Sequence, residues 1–102
     1  MEHVPFLSES IGIVIENHRQ ARGMTRSALA DFAAMERRYL YGLVNATSNA
    51  TVRTIYLLCH ALNVSPVDFF SEVEAVRQKL KANALRKESE SHSGPPYGER
   101  SD

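Results

Sequence analysis

Apolar residues recur at steps of three and four along most of the chain, the spacing that lines one face of an α-helix. Ile11, Val14 and Ile15 mark a first helix, capped by Ser8 or Ser10 and stopped by Gly23. Thr25 caps a short second helix, RSALADFA, with Leu29, Ala30 and Ala33 on one side. After a break near Ala34, Leu40, Leu43 and Val44 give a third helix its apolar side. The polar run NATSNAT ends at Thr51, which caps a fourth helix carrying Val52, Ile55, Leu58, Cys59 and Leu62; Asn63 closes it. Ser65, Pro66 and Asp68 combine a cap, a proline at the first helical position and an acid in the first turn. The fifth helix then runs to about Glu88 through Phe69, Phe70, Val73, Val76 and Leu80. Strand signals are absent, so the predicted fold class is all-α, five helices with the last one extended.

A chain of 102 residues suits one small domain. No apolar run reaches the ~18–20 residues of a membrane span. FLSESIGIVIENH is short and carries Glu9 and Glu16, unlike a secretory leader. Cys59 is the only cysteine, which excludes an intramolecular disulfide and fits a reducing cytoplasm. Net charge is zero, which argues against a protein that coats nucleic acid without preference. The distribution changes that picture. Arg19, Arg22, Arg26, Arg37, Arg38 and Arg53 fall within residues 19–53, opposed only by Asp31 and Glu36; beyond Ser65 acids and bases nearly balance. Local positive charge of this kind suits a module that touches phosphate with one face.

A short second helix, a tight turn and a short third helix make a helix-turn-helix. The chain is expected to divide around it into a flexible N-terminus at 1–7, a helix-turn-helix domain at 8–66, a C-terminal helix at 67–88 as candidate dimerisation element and a disordered tail at 89–102. That tail, SESHSGPPYGERSD, has Gly, paired Pro and Ser and no apolar periodicity. Phe6 and Leu7 are placed to pack back on the body as a staple.

Residues 11–64 resemble, without a gap, the phage-repressor (Xre-type) helix-turn-helix family. The resemblance rests on Ile11-Gly12, Arg19, RGMT at 22–25, Leu29-Ala30, Leu40, Leu43 and LNV at 62–64. It implies that the third helix lies in the major groove with its first residues at base edges. Those positions are Glu36, Arg37 and Arg38, with Tyr41 and Gly42 one turn later. It also implies backbone contacts from Arg26, which opens the second helix, and from the loop at 45–51. Arg26, Asn45, Ser48 and Arg53 are accordingly assigned to phosphate.

Helical spacing agrees with those roles. It puts Arg37, Tyr41 and Asn45 on one stripe, with Arg38 and Gly42 beside it and Leu40, Leu43 and Val44 opposite. Arginine pairs bidentately with guanine O6 and N7, worth ~1–3 kcal/mol of discrimination. Gly42 costs ~1 kcal/mol of helix propensity, and its missing side chain would let the helix approach the groove floor. An Arg-Arg pair in isolation is more often a solvated face; the helix-turn-helix frame makes base reading the better assignment. Tyr39 reads as a half-buried packing residue and Tyr41 as a mixed base and backbone contact. His18 and His60 read as structural or solvent-facing, without partners at metal-ligand spacing, and Cys59 as an inert core thiol. No cofactor and no metal are expected.

Several positions depart from the family pattern. Val44 stands where members often carry a glutamate paired with the counterpart of Arg19, so Arg19 must find another partner, point outward or reach phosphate. Ala34 and Ala46 replace glycines, and a left-handed conformation at Ala34 would cost roughly 1 kcal/mol. Glu36 is a poor cap for the reading helix, although its charge suits the helix dipole. It would accept a hydrogen bond from cytosine N4 or repel phosphate. Phe32 replaces a polar surface residue, and an exposed Phe32 would suggest a contact with something.

The expected function is a sequence-specific, double-stranded DNA-binding transcription regulator acting as a homodimer on a (pseudo)palindromic operator. One reading helix covers only a few base pairs, so useful specificity normally needs two half-sites. Phe69, Val73, Val76 and Leu80 supply the dimer seam, Asn83 limits its length or register, and Phe70 completes the chain's own core. The alternative is a protein-interaction module, such as an antitoxin-like partner, that keeps the fold and holds another protein through Phe32 or the C-terminal tail. Arg37 and Arg38 discriminate, because such a module has no reason to concentrate arginines at the start of that helix. No paired-carboxylate cleft, Cys–His–acid set or phosphate-binding glycine loop points to an enzyme. The expected location is the cytoplasm, on the nucleoid and away from membranes.

Overall fold

Five helices form in the order that the apolar spacing predicts: α1 Leu7–Ala21, α2 Arg26–Phe32, α3 Arg37–Val44, α4 Val52–Leu62 and α5 Pro66–His92. The computed structural model describes residues 4–92, with side chains through residue 89. Among the described residues there is no strand, and no helix is long and apolar enough to cross a membrane.

The first four helices end in the same turn. A single residue within two positions of each helix end adopts a left-handed backbone: Gly23, Ala34, Ala46 and Asn63, with φ of 67°, 56°, 61° and 56°. Its N–H and the next reach back into the helix: Gly23 to Gln20 and Met24 to Arg19, then Ala34 to Asp31 and Met35 to Ala30. Ala46 to Leu43 and Thr47 to Gly42 follow, and finally Asn63 to His60 and Val64 to Cys59, all at 2.8–3.3 Å. These pairs are Schellman closures, which satisfy carbonyls that a helix end otherwise leaves open. Glycine enters this conformation freely, whereas each alanine holds it against a steric cost of about 1 kcal/mol. Packing of the flanking helices therefore imposes the turns at Ala34 and Ala46.

Three helix starts follow the sequence. Thr25, Thr51 and Ser65 accept through their hydroxyls from the backbone N–H of Ala28, Thr54 and Asp68 at 3.0, 3.1 and 3.0 Å. The start of α1 does not. Phe6 is its cap residue, left-handed and without a side-chain cap bond, in place of the expected Ser8 or Ser10. Ser10 is buried, and its hydroxyl donates to the Phe6 carbonyl at 2.6 Å. Leu7 already belongs to α1, and Arg77 of α5 donates to the Pro5 carbonyl at 3.4 Å. The expected flexible N-terminus is thus tied to the body from Pro5 onward, while residues 1–3 lie outside the described residues. At the other end α5 continues to His92, into the segment expected as tail; residues 93–102 lie outside the described residues.

The core gathers Val14 and Ile15 of α1, Leu29 and Ala30 of α2, Leu40 and Leu43 of α3, and Leu58 and Leu62 of α4. Phe69 and Val73 of α5 close it. This reverses the expectation for the aromatic pair. Phe69 is fully buried and Phe70 is 41% exposed, their rings edge to face at 5.9 Å. Phe69 and Val73 are four residues apart and share the inward face, while Phe70 sits about 100° further round the helix. Both inward residues serve this chain's own core, so they are corrected out of the dimer seam. Val52, at the first position of α4, is also exposed rather than apolar core. His18 proves structural, its Nε2 lying 2.7 Å from Glu72 Oε1 and joining α1 to α5.

Candidate nucleic-acid interface

Gly12 sets the seat of α3. A Cβ there would lie 2.6 Å from the Val44 carbonyl oxygen and 2.9 Å from that of Leu43. Only a glycine lets α1 meet the end of α3 at that distance. Leu40 and Leu43 then drop into the core, and the outer side at the start of α3 is left to solvent. Glu36, Arg37, Arg38 and Tyr41 are all exposed there. Glu36 is the cap residue and makes no side-chain cap bond, as its chemistry implied. Among the described residues, Arg37, Arg38 and Arg53 make no ion pair.

Arg26 is held instead. Its Cζ lies 5.7 Å from the centroid of the Tyr41 ring, within cation–π range. Its Nη2 donates to Glu16 Oε1 at 3.1 Å. Glu16 also accepts from Arg19 Nε and Nη2 at 2.8 and 2.9 Å, and Arg19 Nη1 donates to the Met24 carbonyl at 2.6 Å. With no glutamate at Val44, Arg19 therefore finds its partner one turn back on its own helix. The Arg19 hydrogen bond, opposed by partial desolvation and aided by Arg26, holds the Glu16 carboxyl below its usual range. The same contact raises Arg19. One carboxylate facing two guanidiniums leaves the trio with net positive charge.

Gly42 does not face outward. It is buried, and a Cβ there would collide with the Ser48 hydroxyl and lie 2.9 Å from Ser48 Cβ. Its assignment to base reading is corrected: the missing side chain admits the loop, which folds back over this half of α3. The Gly42 carbonyl accepts from the N–H groups of Thr47 and Ser48 at 2.8 and 3.1 Å. Ser48 is half-buried with its amide engaged, so only its hydroxyl is left for phosphate. Tyr39 is half-buried too, its hydroxyl donating to the Asn49 carbonyl at 2.8 Å. Asn45 and Arg53 are exposed on either side of this pinned loop.

Glu16 is the residue that the sequence reading passed over. Its pairing with Arg19 was legible as an i,i+3 contact on a helix; its reach to Arg26 is tertiary. Elsewhere, Cys59 is a buried free thiol whose ionisation burial makes harder. Among the described residues, no group of three or more His, Cys, Asp or Glu is placed to hold a metal ion.

α2, the tight turn after it and α3, with two exposed arginines at the start of α3, make a helix-turn-helix. The model of the helix-turn-helix family matches residues 15–69, more than half of the chain. The chain belongs to the Xre-like helix-turn-helix family of DNA-binding transcription regulators. A point mutant of the restriction-modification controller protein C.Esp1396I is 31% identical, with a TM-score of 0.66 over 79% of this chain and 98% of that one. The tetramer of that controller protein in complex with its natural 35 base-pair operator is 31% identical, with a TM-score of 0.64 over 69% and 92%. The clp gene regulator ClgR from Corynebacterium glutamicum shares the fold, with a TM-score of 0.82 over 89% of this chain and 97% of that one at 24% identity. No curated protein matches the chain by sequence.

Proposed function

We propose that this regulator binds a (pseudo)palindromic operator sequence-specifically as a homodimer. The observation that carries the reading is the exposed Arg37 and Arg38, without ion pairs among the described residues, at the outer end of a helix fixed by Gly12 and the loop. Both are assigned to base edges with Glu36 beside them, and Tyr41 to mixed base and backbone contact. Arg26, Asn45, the Ser48 hydroxyl and Arg53 are assigned to phosphate. The controller protein captured on its operator supports this reading by likeness.

The surface for a second copy changes from the one that spacing suggested. Val76 and Leu80 lie on the same side of α5 as Phe69 and Val73; both are half-buried, and Val76 packs on the chain's own core. Val67, Phe70 and Leu85 lie exposed on the other side, and Tyr56 and Leu57 are exposed on α4. We place the partner there. Phe70→Glu is expected to give a monomer by light scattering; a dimer lost in Leu80→Glu and kept in Phe70→Glu restores the original seam.

Selection from a randomised duplex pool at near-physiological salt tests the function. An enriched inverted repeat with half-sites about one helical turn apart is the expected result. No enrichment overturns it in favour of a protein-interaction module. The observation on that side is Phe32, 70% exposed at the end of α2.

A further inference from the structure

We propose that Glu16 is a positioning residue for base recognition, acting from α1 by holding Arg26 against the ring of Tyr41. This rests on the DNA-reading assignment above and adds to it a residue that lies one helix behind the reading surface.

The carboxylate is well fixed. Arg19 occupies both of its oxygens, and Arg19 is fixed in turn by the Met24 carbonyl in the α1–α2 turn. The Glu16 side chain is 16% exposed and that of Arg26 is 39% exposed, so the contact spans from the interior to the surface. Arg26 has no other ion-pair partner among the described residues. The Tyr41 hydroxyl makes no hydrogen bond among the described residues, so the face contact with Arg26 is the polar interaction that orients its exposed ring. The order of dependence is Glu16, then Arg26, then Tyr41.

Removing the negative charge has two consequences of opposite sign. Arg26, released from the carboxylate, leaves the ring and is given wholly to its phosphate, and Tyr41 loses its brace, so base preference falls. At the same time an anion near the backbone is gone, so affinity for any duplex rises. A purely structural defect lowers both.

The test uses the full chain and the duplex that the wild type selects, with a scrambled duplex as reference, across a salt series. Glu16→Gln is expected to lower the selected-to-scrambled affinity ratio about tenfold, the scale of one lost base contact. It is expected to tighten scrambled binding severalfold at low salt. In a Tyr41→Ala background the same substitution is expected to move the ratio by less than about twofold, because coupled residues are not additive. A folded Glu16→Gln protein with an unchanged ratio overturns the proposal, as does an effect that persists in full without Tyr41. Should Glu16→Gln not fold at the assay temperature, Arg26→Met leaves the Glu16–Arg19 pair intact, and an unchanged base preference there overturns the proposal equally. A wild type that enriches no duplex overturns the DNA-reading assignment itself and this proposal with it; an enriched wild type beside an unchanged variant overturns this proposal alone.

Discussion

Ser48 rests on the bare Cα of Gly42, and its amide donates to the carbonyl of the same glycine at 3.1 Å. A methyl group at position 42 would gain ~1 kcal/mol of helix propensity but drive Ser48 outward, an overpacking worth about 1–3 kcal/mol. Gly42→Ala is therefore expected to melt lower than the wild type, and adding Ser48→Gly to recover part of the loss. Thermal unfolding followed by circular dichroism reads both; a variant at least as stable as the wild type would mean that the loop yields freely.

Gly12→Ala faces a harder obstacle. The new methyl meets two backbone carbonyls, those of Val44 and Leu43, and no flexible side-chain end can move away. The expected loss is on the order of 3 kcal/mol, the upper end for overpacking. Operator affinity should fall too, since α3 must shift to make room. A urea midpoint equal to that of the wild type would contradict the contact.

Ala34→Gly and Ala46→Gly should act in the other direction. Both positions hold a left-handed backbone that glycine adopts freely, so each substitution is expected to stabilise by up to about 1 kcal/mol. Denaturation midpoints measure the gain, and a fall in either midpoint would show that the turn carries no strain.

Acid should unfold the wild type partly through Glu16. Its carboxyl is held below the ordinary 4.5, chiefly by Arg19, so its contribution is fully present above about pH 4.5 and is lost as pH drops through the lower folded value. Glu16→Gln is expected to flatten stability in that window. Glu74 is held at about 2 by Arg77 and Gln78, but it is exposed, and solvent screening leaves it little weight. Parallel acid profiles for wild type and Glu16→Gln would remove Glu16 from the account.

On DNA the arginines should separate into two kinds. Arg37→Ala or Arg38→Ala is expected to relax preference at one operator position per half-site. Arg53→Ala should weaken all sequences alike and reduce the salt slope by about one unit. Uniform losses from all three would make Arg37 and Arg38 phosphate contacts.

What the sequence disclosed was set by rules that act within a few residues. Thr25, Thr51 and Ser65 were readable as caps because a hydroxyl bonds an amide three positions on. The left-handed turn at Ala34 was readable only through the family resemblance, which puts a glycine there. Phe69 and Phe70 both fit a spacing of three and four, so the phase of α5 depended on where α1 and α4 lie. Gly42 looked like an opening toward DNA because nothing local shows a loop returning over it. Phe6 as a cap residue, and Glu16 reaching Arg26, likewise needed elements that are distant in sequence to be in place.

Phe69 and Val73 come from the fifth helix, yet they close the core that the first four helices surround. A nascent chain that has exposed only α1 to α4 still has an open apolar centre. The body is sealed once Val73 has cleared the ribosome and α5 can lie along α1. Turning Phe69 inward is also what turns Phe70 outward, so one helix phase sets both the last of the core and the exposed face of α5. A chain cut short before α5 thus lacks both the last of its core and that outer face.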